Sequence, residues 1–196
     1  AQAVRGLAAK HGQVARLMGV LEELQVPLAR ARAELGLPGI QPETAVLVRD
    51  KDKMKERFRA AGVPCAASAL CHDSDAVLAF VKRHGLPVVC KPPAALAAAP
   101  PSAHSPVLVE QFLTGEEHSF DSVSINGQVV WSSISTYEPS PLEVLETPWI
   151  QWCVLLPRDI SGPRYDAIRE VGPRAVAALG VDTALCHMEW FLRPDG

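Results

Sequence analysis

Hydrophobic positions change period several times along the chain, and each change marks an element. Val14, Leu17, Met18, Leu21, Leu24 and Leu28 recur at helical spacing. Their three-then-four rhythm also fits a coiled-coil seam, but Gly19 and Pro27 interrupt it and it lasts only about two heptads. A helix over Val14–Leu28 is the expectation. A second helical piece, Ala29 to Leu35, stops at Gly36, and LPGIQPET reads as a connector. Asp50 can cap a helix whose apolar side is Met54, Phe58 and Ala61, with Gly62 and Pro64 ending it. A third helix runs from a Ser74 or Asp73 cap through Val77, Phe80 and Val81 to Gly85.

Shorter apolar runs read as strands. LPVVCK, ending on Lys91, has the pattern of a short buried strand, and VLVEQF of another. Asn126-Gly127 is a strong hairpin signal between Glu117–Ile125 and Gln128–Ser135. The period of two puts Glu117, Ser119 and Asp121 on one face, with His118, Phe120 and Ser122 on the other. Glu138 to Pro163 reads as a long proline-rich connection of the kind that tends to carry function. In it Trp149 and Trp152, with Tyr137, form either an apolar wall for a substrate or the segment's own small core. Tyr165 to Leu179 reads as a helix bent at Pro173 and stopped by Gly180. The final strand, TALCHMEWFL, puts Leu185, His187, Glu189 and Phe191 on one face, with Cys186, Met188 and Trp190 on the other.

Composition narrows the class. The 196 residues, 48% apolar and 21% charged, make one large domain or two small ones with a real core. A net charge of −3 gives no field for nucleic acid or for an anionic membrane. The five cysteines, Cys65, Cys71, Cys90, Cys153 and Cys186, form no CxxC pair and three lie in or beside apolar runs, which predicts buried, reduced thiols in a reducing compartment. No uninterrupted apolar run approaches the roughly 18 residues of a membrane span. The start, AQAVRGLAAKHGQ, has no signal-peptide centre and no initiating methionine. A piece of a longer cytoplasmic protein is the expectation.

Lys91 and Glu189 stand out in otherwise apolar strands, where a charge without a partner costs several kcal/mol. Each has a bland alternative: Lys91 snorkelling off a strand end, Glu189 facing solvent. His187 reads as a hydrogen-bonded histidine before it reads as a ligand. A lysine for phosphate charge and a carboxylate for Mg²⁺ together make a nucleoside triphosphate site. There is no GxxxxGK[ST], so it is not a P-loop. There is no GxSxG, and Ser105, His104 and Asp121 have no telling spacing; His118, His187 and Cys186 lack paired zinc-ligand spacing.

The order RDKDKMKERFRAAGVP, GLPVVCKPP, PVLVEQFLTGEEHSF and LCHMEWFLRPDG resembles the ATP-grasp superfamily, to which biotin carboxylase and the D-alanine–D-alanine ligases belong. The resemblance covers Leu37 to Gly196. It implies an α+β (α/β) fold in which two subdomains grip a nucleotide, incomplete at both ends. Residues 1–40 would be the tail of a preceding α/β domain, 41–108 the small subdomain with a shortened lid, and 109–196 the large subdomain. It implies an ATP-dependent, C–N bond-forming ligase that activates a carboxylate as an acyl phosphate for attack by an amine. The activity would belong to the full-length parent rather than to this fragment. The alternative is a degenerate, non-catalytic nucleotide-binding module; an interaction protein using Val14–Leu28 is a third class.

Carried over by position, the resemblance assigns Lys51 and Lys91 to the ATP phosphates. The alternative for Lys51 is an ordinary solvated helix lysine, since Lys53 and Lys55 stand beside it. Glu110, Gln111, Phe112 and Leu113 match the hinge that reads adenine. Glu117 matches the carboxylate on the ribose hydroxyls, with Glu116 as its alternative, and Asp121 touches or supports the nucleotide. Glu189 matches a carboxylate for Mg²⁺ or Mn²⁺. The implied partners are ATP and small carboxylate and amine substrates, with no nucleic acid and no membrane; neither catalytic residues nor an oligomeric state are implied. Two departures stand against this. Only Pro92 to Pro106 separates Lys91 from Val107, without the glycines that let a backbone approach phosphates. A second metal carboxylate would lie beyond Gly196.

Overall fold

The computed structural model describes residues 1–92 and 106–194. The shortened lid expected between Lys91 and Val107 therefore lies outside the described residues, except at its two ends, as does the close of the RPDG turn.

Helix α1 (Gln2–His11) opens the chain, and α2 (Gln25–Leu35) follows a 3-10 turn at Glu22–Leu24. The helix expected over Val14–Leu28 is thus corrected: residues 12–21 carry no regular element, and helix begins at Gln25. Side chains of α2 satisfy the backbone of that segment instead. The Gln25 amide donates to the Gly19 and Leu21 carbonyls, and Arg32 Nε donates to the Leu17 carbonyl at 2.8 Å. At Gly19 a Cβ would sit 2.5 Å from a Leu28 methyl, so the apolar spacing reflects packing on α2 rather than a helical turn. Gly36 ends α2 in the left-handed conformation, as expected.

Inside the connector expected before Asp50, Pro42 begins a helix, α3 (Pro42–Arg49). Helix α4 (Lys51–Ala60) is capped as expected, with Asp50 accepting from the Lys53 N–H. Its Phe58 is buried with Val63 and Ala175, and Met54 and Met188 pack on that cluster.

Three antiparallel strands form the first sheet: β1 (Ser68–Cys71), β2 (Val88–Lys91) and β3 (Val107–Gln111), in the order β1-β3-β2. Helix α5 (Ser74–His84), capped by Asp73, places Phe80 against Cys71 and Val109. β2 is an edge strand with Val89 and Cys90 exposed, which corrects the expectation of a buried strand.

The second sheet has the order β6-β5-β4-β7, built from β4 (Glu116–Ile125), β5 (Gln128–Glu138), β6 (Cys153–Leu155) and β7 (Ala184–Leu192). Asn126 and Gly127 both take positive φ in the β4–β5 turn, the geometry such a dipeptide favours. β6 and a short helix, α6 (Pro141–Glu146), lie within the connection expected to be irregular. Cys90 on β2 and Cys153 on β6 are exposed, which corrects the expectation of buried thiols. Helix α7 (Asp166–Ala178) continues through Pro173 and covers one face, where Phe120, Ile134 and Ile168 are buried together. Gly172 lets it approach: a Cβ there would meet the Phe120 ring at 2.8 Å.

All of β3 pairs within the first sheet, so the sheets divide between Gln111 and Glu116 rather than at residue 108. In that link Gly115 has φ +152, and a Cβ would lie 2.4 Å from the Leu192 carbonyl oxygen. The architecture is α+β, with antiparallel sheets each backed by helix. No described helix is long and apolar enough to cross a membrane.

Candidate functional site

Where the first sheet meets α4, two lysines converge on one carboxylate. Lys55 Nζ lies 2.5 Å from Glu110 Oε1, and Lys91 Nζ forms an ion pair with Glu110 Oε2. The Glu110 side chain is only 8% exposed, that of Lys55 12% and that of Lys91 33%. Burial pushes the Glu110 carboxyl up, but hydrogen bonds and charge from Lys55 and Lys91 outweigh it and hold the group below its ordinary value. One negative charge against two positive ones leaves the trio with a surplus positive charge, on the side where Lys91 meets solvent. Lys91 therefore has the partner that a charge in an apolar strand requires, and one positive charge remains over.

Lys51 begins α4, one helical turn before Lys55 and on the same side of the helix. Gln111 and Phe112 follow Glu110, and their N–H groups are engaged by the Ala67 and Pro87 carbonyls, at 2.9 and 3.3 Å. Leu113, the next residue of the link, is half-buried.

On the second sheet the strand period works as the sequence implies. Glu117, Ser119 and Asp121 of β4 share a face with Phe191, Glu189 and His187 of β7, because each directly opposes its partner in register. The opposite face lies under α7, where His118 is fully buried, stacked on Trp190, with its imidazole pushed down by burial. On the open face Glu189 is exposed, which corrects the expectation of a buried carboxylate. Burial and then the Glu189 charge push the Glu117 carboxyl up. His187 Nδ1 lies 2.8 Å from Asp121 Oδ1, and the Ser119 hydroxyl donates to Asp121 Oδ2 at 3.0 Å. A carboxylate at that distance favours the tautomer in which Nδ1–H donates to it. A cavity of about 200 Å³ opens at this end of the sheet, lined by Gly115, Glu116, Glu117, Thr136, Tyr137, Glu138 and Ser140. Glu116 itself is taken by Arg164, so Glu117 is the one free to face the cavity. Tyr137 packs on Trp152 at 5.4 Å, whereas Trp149 is 82% exposed.

Among the described residues no three His, Cys, Asp or Glu gather closely enough to hold a metal ion. Glu189, exposed on the open face, is the carboxylate there that could help hold a cation whose remaining ligands come from a bound anion.

Comparison with known proteins identifies the fold. No family model matches the chain. It is 24% identical over 181 residues to the carbamoyl phosphate synthase large chain of Kineococcus radiotolerans, covering 81% of this chain and 16% of that protein. The crystal structure of an L-amino acid ligase from Bacillus licheniformis superposes with a TM-score of 0.74 at 22% identity, covering 99% of this chain and 49% of the other. The chain has the ATP-grasp fold. A D-alanine–D-alanine ligase from Bacillus anthracis, solved with ATP, superposes at 0.67 and 12% identity over 90% of this chain and 63% of its own. A phosphoribosylglycinamide synthetase from Anaerococcus prevotii does so at 0.70 and 18%, over 98% and 51%. The ATP-grasp chain thus spans about half the length of the first two solved structures, 49% and 51%.

Among the residues expected from sequence, the structure joins Lys91 to Glu110, and Glu117 and Asp121 to the face that bears Glu189. Among the described residues no ion pair ties Lys51 into the trio; Lys53 pairs with the cap, Asp50. Lys55, one of several lysines in the basic run, is a member of the cluster that the sequence reading does not single out. Its signal lay in the helix period: position 55 is three residues before the buried Phe58, on the inward side of α4.

Proposed function

We propose that this chain is the nucleotide-gripping part of an ATP-dependent ligase that joins a carboxylate to an amine. The observation that carries the proposal is the Lys55–Glu110–Lys91 cluster, which leaves a surplus positive charge at the partly exposed Lys91 of an ATP-grasp fold. The relatives named above include ligases and a synthetase, one of them solved with ATP.

The chain's own groups divide the work. Lys91 and Lys51 offer ammonium charge to the phosphates, and phosphoryl transfer asks a protein chiefly for positioning and neutralisation. The link from Gln111 to Leu113 runs beside the base, while the Glu110 carboxylate is taken up by Lys55 and Lys91. Glu117 accepts from the ribose hydroxyls, and Asp121 orders the face through Ser119 and His187. Glu189 holds the divalent cation. When bound, Mg-ATP supplies the phosphoryl group that makes a carboxylate substrate open to attack by an amine, with ADP and then phosphate as leaving groups.

The test is release of phosphate by the full-length protein, measured across a panel of carboxylates with and without amines. Release that requires both substrates and yields an amide supports the ligase. ATP binding without turnover across the whole panel would instead favour a non-catalytic nucleotide-binding module.

A further inference from the structure

We infer that Lys55 is a positioning residue that keeps Lys91 available to an anionic ligand by neutralising Glu110. The inference rests on the proposed phosphate role of Lys91, and the experiment below separates the two.

A carboxylate has two oxygens, and here each takes one ammonium group: Oε1 that of Lys55, Oε2 that of Lys91. Without Lys55 the remaining pair would sum to zero, and the Lys91 ammonium would spend its charge on Glu110. With Lys55 the trio keeps a net positive charge. The two lysines are not equivalent. Lys55 is the sealed member, at 12% exposure against 33% for Lys91, so a ligand meets Lys91 and not Lys55. The inner ammonium is also held in place from its own helix. Lys55 is one turn from Phe58, which is buried against α7, and its carbonyl accepts a weak hydrogen bond from the Cys65 thiol at 3.9 Å. A charge held where no ligand reaches acts through its field on the carboxylate beside it.

Charge compensation gives the test. Tripolyphosphate, which has no base or ribose, is titrated by calorimetry into the wild type, Lys55→Met, Lys55→Arg, Lys91→Ala and the double variant Lys55→Met/Glu110→Gln. Lys55→Met brings the trio to zero and is expected to weaken binding roughly tenfold or more, while Lys55→Arg stays within about threefold of wild type. The double variant returns the trio to one positive charge and is expected to recover to within about threefold, although it removes a further charged side chain. Because it also removes the stranded buried carboxylate, it keeps the test open if Lys55→Met fails to fold. Wild-type affinity in Lys55→Met, or a folded double variant that binds no better than Lys55→Met, overturns the inference. Binding that Lys91→Ala abolishes and Lys55→Met leaves intact overturns the role of Lys55 alone. A wild type that binds no tripolyphosphate, or binds it equally after Lys91→Ala, overturns the reading of Lys91 as well.

Discussion

Glu117 and Glu189 stand on adjacent antiparallel strands, two positions out of register and on the same open face, where burial and then the Glu189 charge push the Glu117 carboxyl up. A cation held at Glu189, as proposed, would also ease its repulsion with Glu117. Glu189→Gln is expected to remove most of the divalent-cation dependence of nucleotide binding, roughly a tenfold effect. Nucleotide affinity measured with and without Mn²⁺ checks it, and an undiminished Mn²⁺ effect in the variant would contradict the assignment.

The Lys55–Glu110–Lys91 trio sets a pH dependence of stability. Glu110 has its folded pKa below the ordinary 4.5, so its contribution is complete above that value and is lost as pH falls through the folded-state pKa. Glu110→Gln is expected to cost about 3 kcal/mol at neutral pH, since it strands two ammonium groups in a largely buried site. Denaturant titrations from pH 7 down to about 3 check this: the gap between wild type and variant narrows on acidification. A gap constant across that range would refute the trio.

Much of this was legible in the chain because local chemistry decided it. Asp50 and Asp73 cap helices where a carboxylate precedes free N–H groups, and Asn126-Gly127 turns where both residues need positive φ. The alternation in TALCHMEWFL placed Glu189 and His187 on one face without coordinates, and β7 shows that alternation. What escaped depended on partners distant in sequence. β1 is four residues long and exists because β3 pairs with it. The apolar residues between Val14 and Leu21 have helical spacing, yet Gln25 and Arg32 of α2 claim the carbonyls that a helix would have used. Lys55 looked like one of several lysines in a basic run, and only the placement of Glu110 on β3 separates it from them.

Close approach of α7 to the second sheet makes a stability prediction independent of any ligand. Gly172 faces the Phe120 ring, which is 1% exposed and has no room to yield. Gly172→Ala is expected to destabilise the protein by about 1–3 kcal/mol despite the better helix propensity of alanine. Thermal unfolding checks this, and an unchanged or raised midpoint would show that the helix packs further from the sheet than described.

The central claim is that the surplus positive charge presented by Lys91 holds the phosphates of a nucleotide. Its most direct test is isothermal calorimetry of Mg-ATP with the full-length protein and its Lys91→Ala variant. The account predicts that affinity falls at least about tenfold while the melting temperature stays close to wild type. Equal affinity in the two proteins would contradict it.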